Sequence, residues 1–509
     1  MGKRKKAPAD QAASATTNRG AKRATASQPP EPNLIYWWPS KADVTLPVGQ
    51  AVYLTGHARV LVKTGSLWAF GKRIVPGDSA VAVCAEARAG AALALQACPE
   101  TVQIPTLTQQ ACQLEVHRWH GDANVSACSE GQQAGREGLG FQLHRSADAG
   151  APELLPLHDQ WCHAASSIAE TSLLSGAPLR IVVCGSKGVG KSTCARLLVN
   201  TLLNCYPRVA YLDTDCGQAE FTVPGMLSLC LLDTPIFGPP HLHMRQPAYA
   251  HFFGDTSPQS NPELYVAAVR SLYAWYTFNL GVADMPGEPA CWPPLVVNTH
   301  GWIKGVEAAS ALGCSDTSAG PGSARGLTAV EARALQWLAF AMGCLGRPPA
   351  QGRWDLDAFA AAALGLAACC PFVVAWQDVH IEGLHASCAE PVLPHAVNGV
   401  VVGLAKGQAA ALEGGKAVLE CVGAAVVRTV DAAKGLLYLL TSVPEAVLQQ
   451  VTTLQVGRME LPSSLLQTGA IMSPYLTSWS ISTEGTGAAL NRGRNLARLG
   501  QAAAGVGRS

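Results

Sequence analysis

Short apolar runs separated by glycines open the ordered part of the chain. Ala51 to Leu54 and Ala58 to Val62 are β-prone, and Gly56, Gly65, Gly71 and Gly77 punctuate the region. From Leu34 to about Cys112 this pattern predicts a small β-sandwich or barrel-like domain. Residues 121–152, rich in Gly, Ser and Ala with mixed charge, read as a linker or long loop. The period changes at Leu179. After Arg180, Ile181 to Cys184 is an unbroken apolar run, as in a strand buried on both faces of a parallel sheet. Cys194, Leu197, Leu198, Leu202 and Cys205 then recur at helical spacing. Val209 to Leu212 and Leu295 to Val297 are further core strands. Between them Pro262 opens an amphipathic helix reaching about Leu280. Strands alternating with helices predict a doubly wound α/β domain. Beyond about Pro391 the β pattern returns, in Val397 to Leu404, Ala417 to Val427 and Leu436 to Thr441.

Composition adjusts this picture at the ends. The 509 residues include 48% hydrophobic and only 14% charged side chains, with a net charge of +1. That excludes a chain disordered throughout and any global field drawing it to a polyanion. The charge is uneven, however. Residues 1–32 carry seven Lys and Arg, among them Lys3-Arg4-Lys5-Lys6, against two acids. Residues 481–509 carry four basic side chains against one acid. Both ends read as basic, disordered arms, and the first fits a nuclear or nucleolar address as well as an RNA tether. The 17 cysteines are odd in number and form no Cys-x-x-Cys pair, which counts against a zinc site or a disulfide framework. No apolar core of a secretory signal follows the basic start. Ala358 to Trp376 is nineteen residues without a charge, but Pro371 splits it. It reads as a buried helix followed by an extended segment rather than a membrane span.

The chemistry begins at Gly185-Ser186-Lys187-Gly188-Val189-Gly190-Lys191-Ser192, with Thr193 following. This matches the phosphate-binding pattern Gly-x4-Gly-Lys-Ser/Thr at every position, and a strand precedes it while a helix follows. Glycines permit a concavity whose N–H groups point at phosphate oxygens, and the helix N-terminus adds its dipole. Lys191 is placed to reach the β- and γ-phosphates of ATP or GTP, and Ser192 to give its hydroxyl to Mg²⁺. Asp213 and Asp215 stand 22 and 24 residues after Lys191, at the end of the next core strand. A carboxylate there can serve Mg²⁺ or accept a proton from an attacking hydroxyl, and spacing alone does not divide the roles. The expected architecture is α/β. A central P-loop NTPase domain (151–390), with a doubly wound, mainly parallel sheet, lies between an N-terminal β-rich domain with its linker (33–150) and a C-terminal β-rich domain (391–480). Basic segments 1–32 and 481–509 flank these.

The run Leu212-Asp213-Thr214-Asp215-Cys216-Gly217-Gln218-Ala219-Glu220-Phe221-Thr222-Val223-Pro224-Gly225 closely resembles the signature of the eukaryotic polynucleotide 5′-hydroxyl kinases, their nucleolar branch above all. Phe252 to Gln259 resembles the family's Gly-x-x-Ser-Pro segment, and Asn298 to Gly305 its Thr-x-Gly-Trp clasp. The resemblance implies a kinase that moves the γ-phosphate of ATP or GTP onto the 5′-hydroxyl of RNA, with Mg²⁺ as cofactor. It implies Asp215 as the acid that activates the hydroxyl and organises Mg²⁺. Gln218 faces the substrate end, and Thr299 and Trp302 form the clasp, with Trp302 stacked on a terminal base. An Arg from a lid should cover the transferring phosphate, and Arg333 is the candidate because it opens an amphipathic helix. Nucleolar placement, pre-ribosomal RNA processing and an endonuclease partner follow from the branch, with no membrane. Residues 306–326 depart from the family, since no strand pattern stands where it has one. Two other readings share these residues: the kinase subunit of messenger-RNA 3′-end and transfer-RNA splicing machinery, and a non-catalytic nucleotide-binding scaffold.

Overall fold

The structure, a computed structural model, describes residues 34–85, 93–97, 112–118, 141–145, 159–175, 178–280, 292–301, 328–346, 356–385, 397–407 and 411–466, apart from a few single positions within these ranges. The expectations for both basic ends, for Trp302 and for residues 306–326 lie outside the described residues.

Nine strands form the N-terminal sheet: β1 (Leu34–Trp37), β2 (Lys41–Leu46), β3 (Ala51–Thr64), β4 (Leu67–Ala69), β5 (Lys72–Ile74), β6 (Val81–Ala85), β7 (Leu93–Ala97), β8 (Cys112–Arg118) and β9 (Phe141–Arg145). The long β3 organises them. Its first half pairs with β7 and β9, its second half with β6 and β8, all antiparallel. Gly56, where the partners change, has φ 90°, a conformation that glycine adopts without strain. The segment expected to be linker therefore supplies a strand: β9 completes the sheet along Val52–Gly56.

Helix α1 (Asp159–Ser175) leads into the central sheet, whose order is β10-β14-β11-β12-β13. Strand β10 (Arg180–Val183) is followed by α2 (Lys191–Leu202), then β11 (Val209–Asp213), β12 (Met226–Leu232) and β13 (Tyr249–Phe252). Helix α3 (Pro262–Asn279) leads to β14 (Leu295–Asn298). Strands β10, β14 and β11 run parallel, and β12 and β13 add antiparallel pairs that the sequence pattern did not reveal. Alternation along β11 explains the two-sided winding. Val209 and Tyr211 pack with α1 and α2, while Ala210 and Leu212 pack with α3. Strand β10 corrects its expectation. It is an edge strand, and Val182 is 61% exposed, so an apolar run does not by itself mean burial on both faces.

Helices α4 (Ala329–Cys344) and α5 (Leu356–Ala368) precede a six-stranded sheet of order β15-β21-β20-β17-β22-β16. Its strands are β15 (Phe372–Ala375), β16 (His380–Gly383), β17 (Val401–Ala405), β20 (Cys421–Asp431), β21 (Leu436–Leu440) and β22 (Thr453–Val456). A small hairpin, β18 (Ala411–Leu412) and β19 (Gly415–Lys416), stands apart. The helix-then-extended reading of Ala358–Trp376 matches α5 and β15. Strands β15 and β16 lie before the boundary expected at 391, yet they pair into this sheet. No described helix is long and apolar enough to cross a membrane.

Both outer sheets grip the central one. The β4–β5 turn seats Gly71 against Thr201 and Leu197 of α2, so closely that a side chain there would collide. Fully buried Asn200 donates to Phe70 O (3.0 Å) and Ile236 O (2.9 Å) and accepts from Ile236 N (2.7 Å). On the opposite side, Gly403 of β17 lies against the Phe252 ring of β13. Gln246 and His251 also donate to Val422 O and Leu419 O. Asn200→Ala strips three buried groups of their partner and is expected to cost about 3 kcal/mol in urea unfolding. A loss below about 1 kcal/mol would show that the N-terminal sheet does not depend on this anchor.

Candidate functional site

The P-loop follows from its glycines. Gly185, Gly188 and Gly190 have φ of 155°, 84° and 87°, values that side-chain-bearing residues rarely adopt. Gly190 caps α2 in the left-handed region and faces the Trp161 ring, whose nearest carbon would lie 2.7 Å from an added Cβ. Trp161 thus supports the loop from behind. Gly301 supports it from the other flank, against the Lys187 backbone. Ser186, Lys187 and Gly188 are exposed, Val189 is half-buried, and Ser192 and Thr193 stand half-exposed on the first turn of α2. Lys191 is buried and donates to Ser186 O at 2.8 Å. Burial lowers its ammonium pKa, and nearby Asp215 opposes that shift.

The two acids separate cleanly. Asp213 is buried, and its carboxyl accepts from Glu220 N (2.6 Å), Asp215 N (3.2 Å) and Asn298 Nδ2 (3.2 Å). Burial pushes it up to about 8, against the pull of those backbone donors. It has no lone pair aimed at solvent and acts as an internal staple. Asp215 keeps partial exposure, accepts from Gly217 N and Gln218 N (3.0 Å each), and lies beside Lys191 electrostatically. His300 Nε2 is 4.0 Å from its Oδ1. Burial pulls the His300 imidazole below its ordinary value, Asp215 resisting while Lys191 and Lys187 add to the pull. His300, which also hydrogen-bonds the Thr256 backbone, was not singled out from the sequence; it was visible only as the variable position of the clasp motif.

The remaining expected residues divide. Gln218 is exposed at the site mouth. The Thr299 hydroxyl donates to Val183 O at 2.8 Å, so it ties β14 to β10. Arg333 is half-buried on α4, which starts with a capping box between Thr328 and Glu331. One turn later, buried Gln336 donates to Ala219 O and Thr222 O of the loop after Asp215. Residues three apart share a helix face, so Arg333 rides on the face of α4 that meets this loop. Behind the loop, buried Glu220 holds Arg196 Nε and His243 Nε2, each at 2.8 Å. Burial raises the Glu220 carboxyl, but Arg196 and His243 outweigh it and hold it below the usual range. Arg196 lies on α2, so this ion pair fixes the P-loop helix to the Asp215 loop. Neither Gln336 nor Arg196 carried a sequence signal.

A glycine cradle at a helix N-terminus, a buried lysine and a carboxylate at the adjacent strand end define a P-loop nucleotide-binding protein built for phosphoryl transfer. Residues 185–315 match the family model described as the mRNA cleavage and polyadenylation factor CLP1 P-loop, and residues 367–462 match the NOL9-like C-terminal domain. The chain is 29% identical to a polynucleotide 5′-hydroxyl-kinase NOL9 of Arabidopsis thaliana over 366 residues, 63% of this chain and 95% of that one. The NOL9 kinase of Danio rerio is 29% identical over 60% of this chain but 50% of its own length. The human one is 41% identical over 26% of this chain and 16% of its own. A solved structure of Clp1p with Pcf11p aligns over 83% of this chain with a TM-score of 0.50 and 14% identity, a likeness of fold alone. The chain is thus similar to the polynucleotide 5′-hydroxyl kinases.

Glu220→Gln keeps the volume but leaves Arg196 and His243 facing no charge. It is expected to lower stability by about 3–5 kcal/mol, read by chemical unfolding. A change under about 1 kcal/mol would demote the ion pair to packing.

Proposed function

We propose that this protein transfers the γ-phosphate of ATP or GTP to the 5′-hydroxyl of RNA, in pre-ribosomal RNA processing. The observation that carries the reading is the geometry around Asp215. It is the half-exposed member of the acid pair, beside Lys191, with two backbone donors holding one oxygen. Those donors orient the carboxylate, and its remaining lone pairs are available to a substrate hydroxyl. In that role Asp215 accepts the 5′-hydroxyl proton as the oxygen attacks the γ-phosphorus in line, and the bond to the β-phosphate oxygen breaks to release the nucleoside diphosphate. Lys191 leaves Ser186 O to neutralise charge on the β- and γ-phosphates, and the loop N–H groups from Gly185 to Thr193 hold the phosphate chain.

Arg333, carried by α4, is the side chain proposed to cover the transferring phosphate. Gln218, Thr299 and Trp302 are the residues proposed to bind the strand end, with the Thr299 hydroxyl also serving its strand contact. Ser192 and Asp215 are oxygen donors suited to Mg²⁺, a hard cation that fills its shell with phosphates and water. Among the described residues no group of three or more His, Cys, Asp or Glu side chains could hold a metal alone. Bound there, Mg²⁺ would supply charge neutralisation at the phosphates. The NOL9 names of the relatives support a nucleolar location, and a kinase of 5′-hydroxyl ends would act after an endonuclease that leaves such ends.

Purified protein with γ-labelled nucleotide and a 5′-hydroxyl RNA oligomer tests the reading directly. Label on the RNA is expected; nucleotide binding without transfer would favour the scaffold alternative. Lys191→Ala is expected to abolish transfer while melting temperature stays near that of the parent, and near-normal transfer by the folded variant would sink the P-loop assignment.

The acids should part company in kinetics. Asp215→Asn is expected to lose ~10²–10⁴-fold in kcat with the fold intact, the usual contribution of a general base. Asp213→Asn should instead lower melting temperature, because an amide nitrogen would face the Glu220 N–H or its fellow donors. A larger kcat loss at Asp213 in protein shown to be folded would reverse the two roles.

A further inference from the structure

The C-terminal sheet brings a cation to the acceptor side of the site. At the end of β22, Gly457 lies against Gly254 so closely that a Cβ on it would overlap the Gly254 backbone. The next residue, Arg458, donates its backbone N–H to Gly254 O at 2.6 Å. Met459 packs over Gly225, at the end of the signature loop. These contacts fix the Arg458 backbone beside the segment Gly254-Asp255-Thr256. Thr256 in turn touches the reacting region twice. Its carbonyl would lie 2.7 Å from a Cβ on Gly217, whose N–H binds Asp215, and its backbone hydrogen-bonds His300. Arg458 is thus two short steps from Asp215.

Its side chain is loosely held. The guanidinium Nη1 is 3.6 Å from Asp255 Oδ2, and the Arg458 side chain is 41% exposed. An exposed ion pair of that length adds little stability, and the glycine contacts already join the two sheets. Two carboxylates that keep some exposure, Asp215 and Asp255, lie on this side, so a polyanionic strand needs a compensating charge. Lys191 and the P-loop are committed to the nucleotide. A guanidinium presents a rigid fork that matches phosphate oxygens in pairs.

We propose that Arg458 binds a backbone phosphate of the acceptor RNA, within the first few nucleotides after the 5′-hydroxyl, so that the C-terminal sheet helps to register the strand over Asp215. The proposal rests on the kinase reading above for the identity of its ligand.

The test compares the full-length parent with Arg458→Ala, Arg458→Lys and Asp255→Asn. It measures anisotropy of a labelled 5′-hydroxyl RNA decamer at several salt concentrations, KM for RNA and for ATP, and thermal unfolding. Arg458→Ala is expected to weaken RNA binding and raise its KM roughly 10-fold, as for a lost charge-assisted hydrogen bond. The slope of log K against log salt should fall by about one phosphate contact, while KM for ATP and the melting temperature hold. Arg458→Lys should recover part of the affinity and the whole slope, since it keeps the charge and loses the fork. Asp255→Asn should leave RNA binding unchanged or tighter. Unchanged RNA affinity and slope in folded Arg458→Ala would overturn the proposal. So would a parallel fall in melting temperature for Arg458→Ala and Asp255→Asn, which would make the pair structural. If the parent binds RNA but transfers no phosphate, the kinase reading falls, and affinity and slope still judge Arg458. If it binds no RNA, both fall.

Discussion

The carboxyl of Asp213 holds together the ends of two core strands and the loop that bears the proposed chemistry. It ends β11, accepts from Asn298 at the end of β14, and accepts again from the backbone of Asp215 and Glu220. An acid in this position, buried and pushed up to about 8, is costly unless every contact is made. The loop from Asp215 to Gly225 therefore has one conformation that satisfies the acid. Asp215 is aimed outward as a consequence, because its N–H is bound inward.

That loop is then pinned from three further directions. Glu220 reaches Arg196 on the P-loop helix, Gln336 reaches the loop carbonyls from α4, and Gly225 takes up Met459 beyond β22. Each contact joins the acceptor loop to a different layer: the nucleotide-binding helix, the helix bearing Arg333, and the C-terminal sheet. The phosphate donor, the candidate lid and the candidate strand-binding arginine are thus referred to one frame. A phosphoryl transfer gains most from positioning, since the protein contributes little covalent chemistry to it. Buried polar contacts suit that purpose because they tolerate few alternative geometries.

The legible parts of the chain were those where local sequence dictates local structure. Gly185, Gly188 and Gly190 announce the loop because their backbone angles exclude other residues, and Pro262 behind Asn261 announces α3 through its cap. The order of strand, loop and helix around Lys191 was readable for the same reason. Strands β12 and β13 were not, since they join the sheet by antiparallel pairing with distant residues rather than by the strand–helix alternation that the sequence shows. Strand β9 was hidden in a Gly- and Ser-rich stretch because only its pairing with β3 makes it a strand. Val182 misled in the opposite direction, being apolar at a sheet edge.

Alone, the sequence determined the phosphate cradle, the parallel core around it, the acid pair and the kinship of the signature loop. These depend on backbone angles and spacings within a few residues, which a linear chain states outright. Tertiary structure decided which acid faces inward, that Thr299 hydroxyl serves a strand, and that His300, Gln336 and Arg458 surround the loop. Such roles arise from residues tens to hundreds of positions apart, and whether a polar side chain is staple or reagent depends on which donors fold against it. For Asp213 and Asp215, two residues apart at one strand end, three inward hydrogen bonds made that choice.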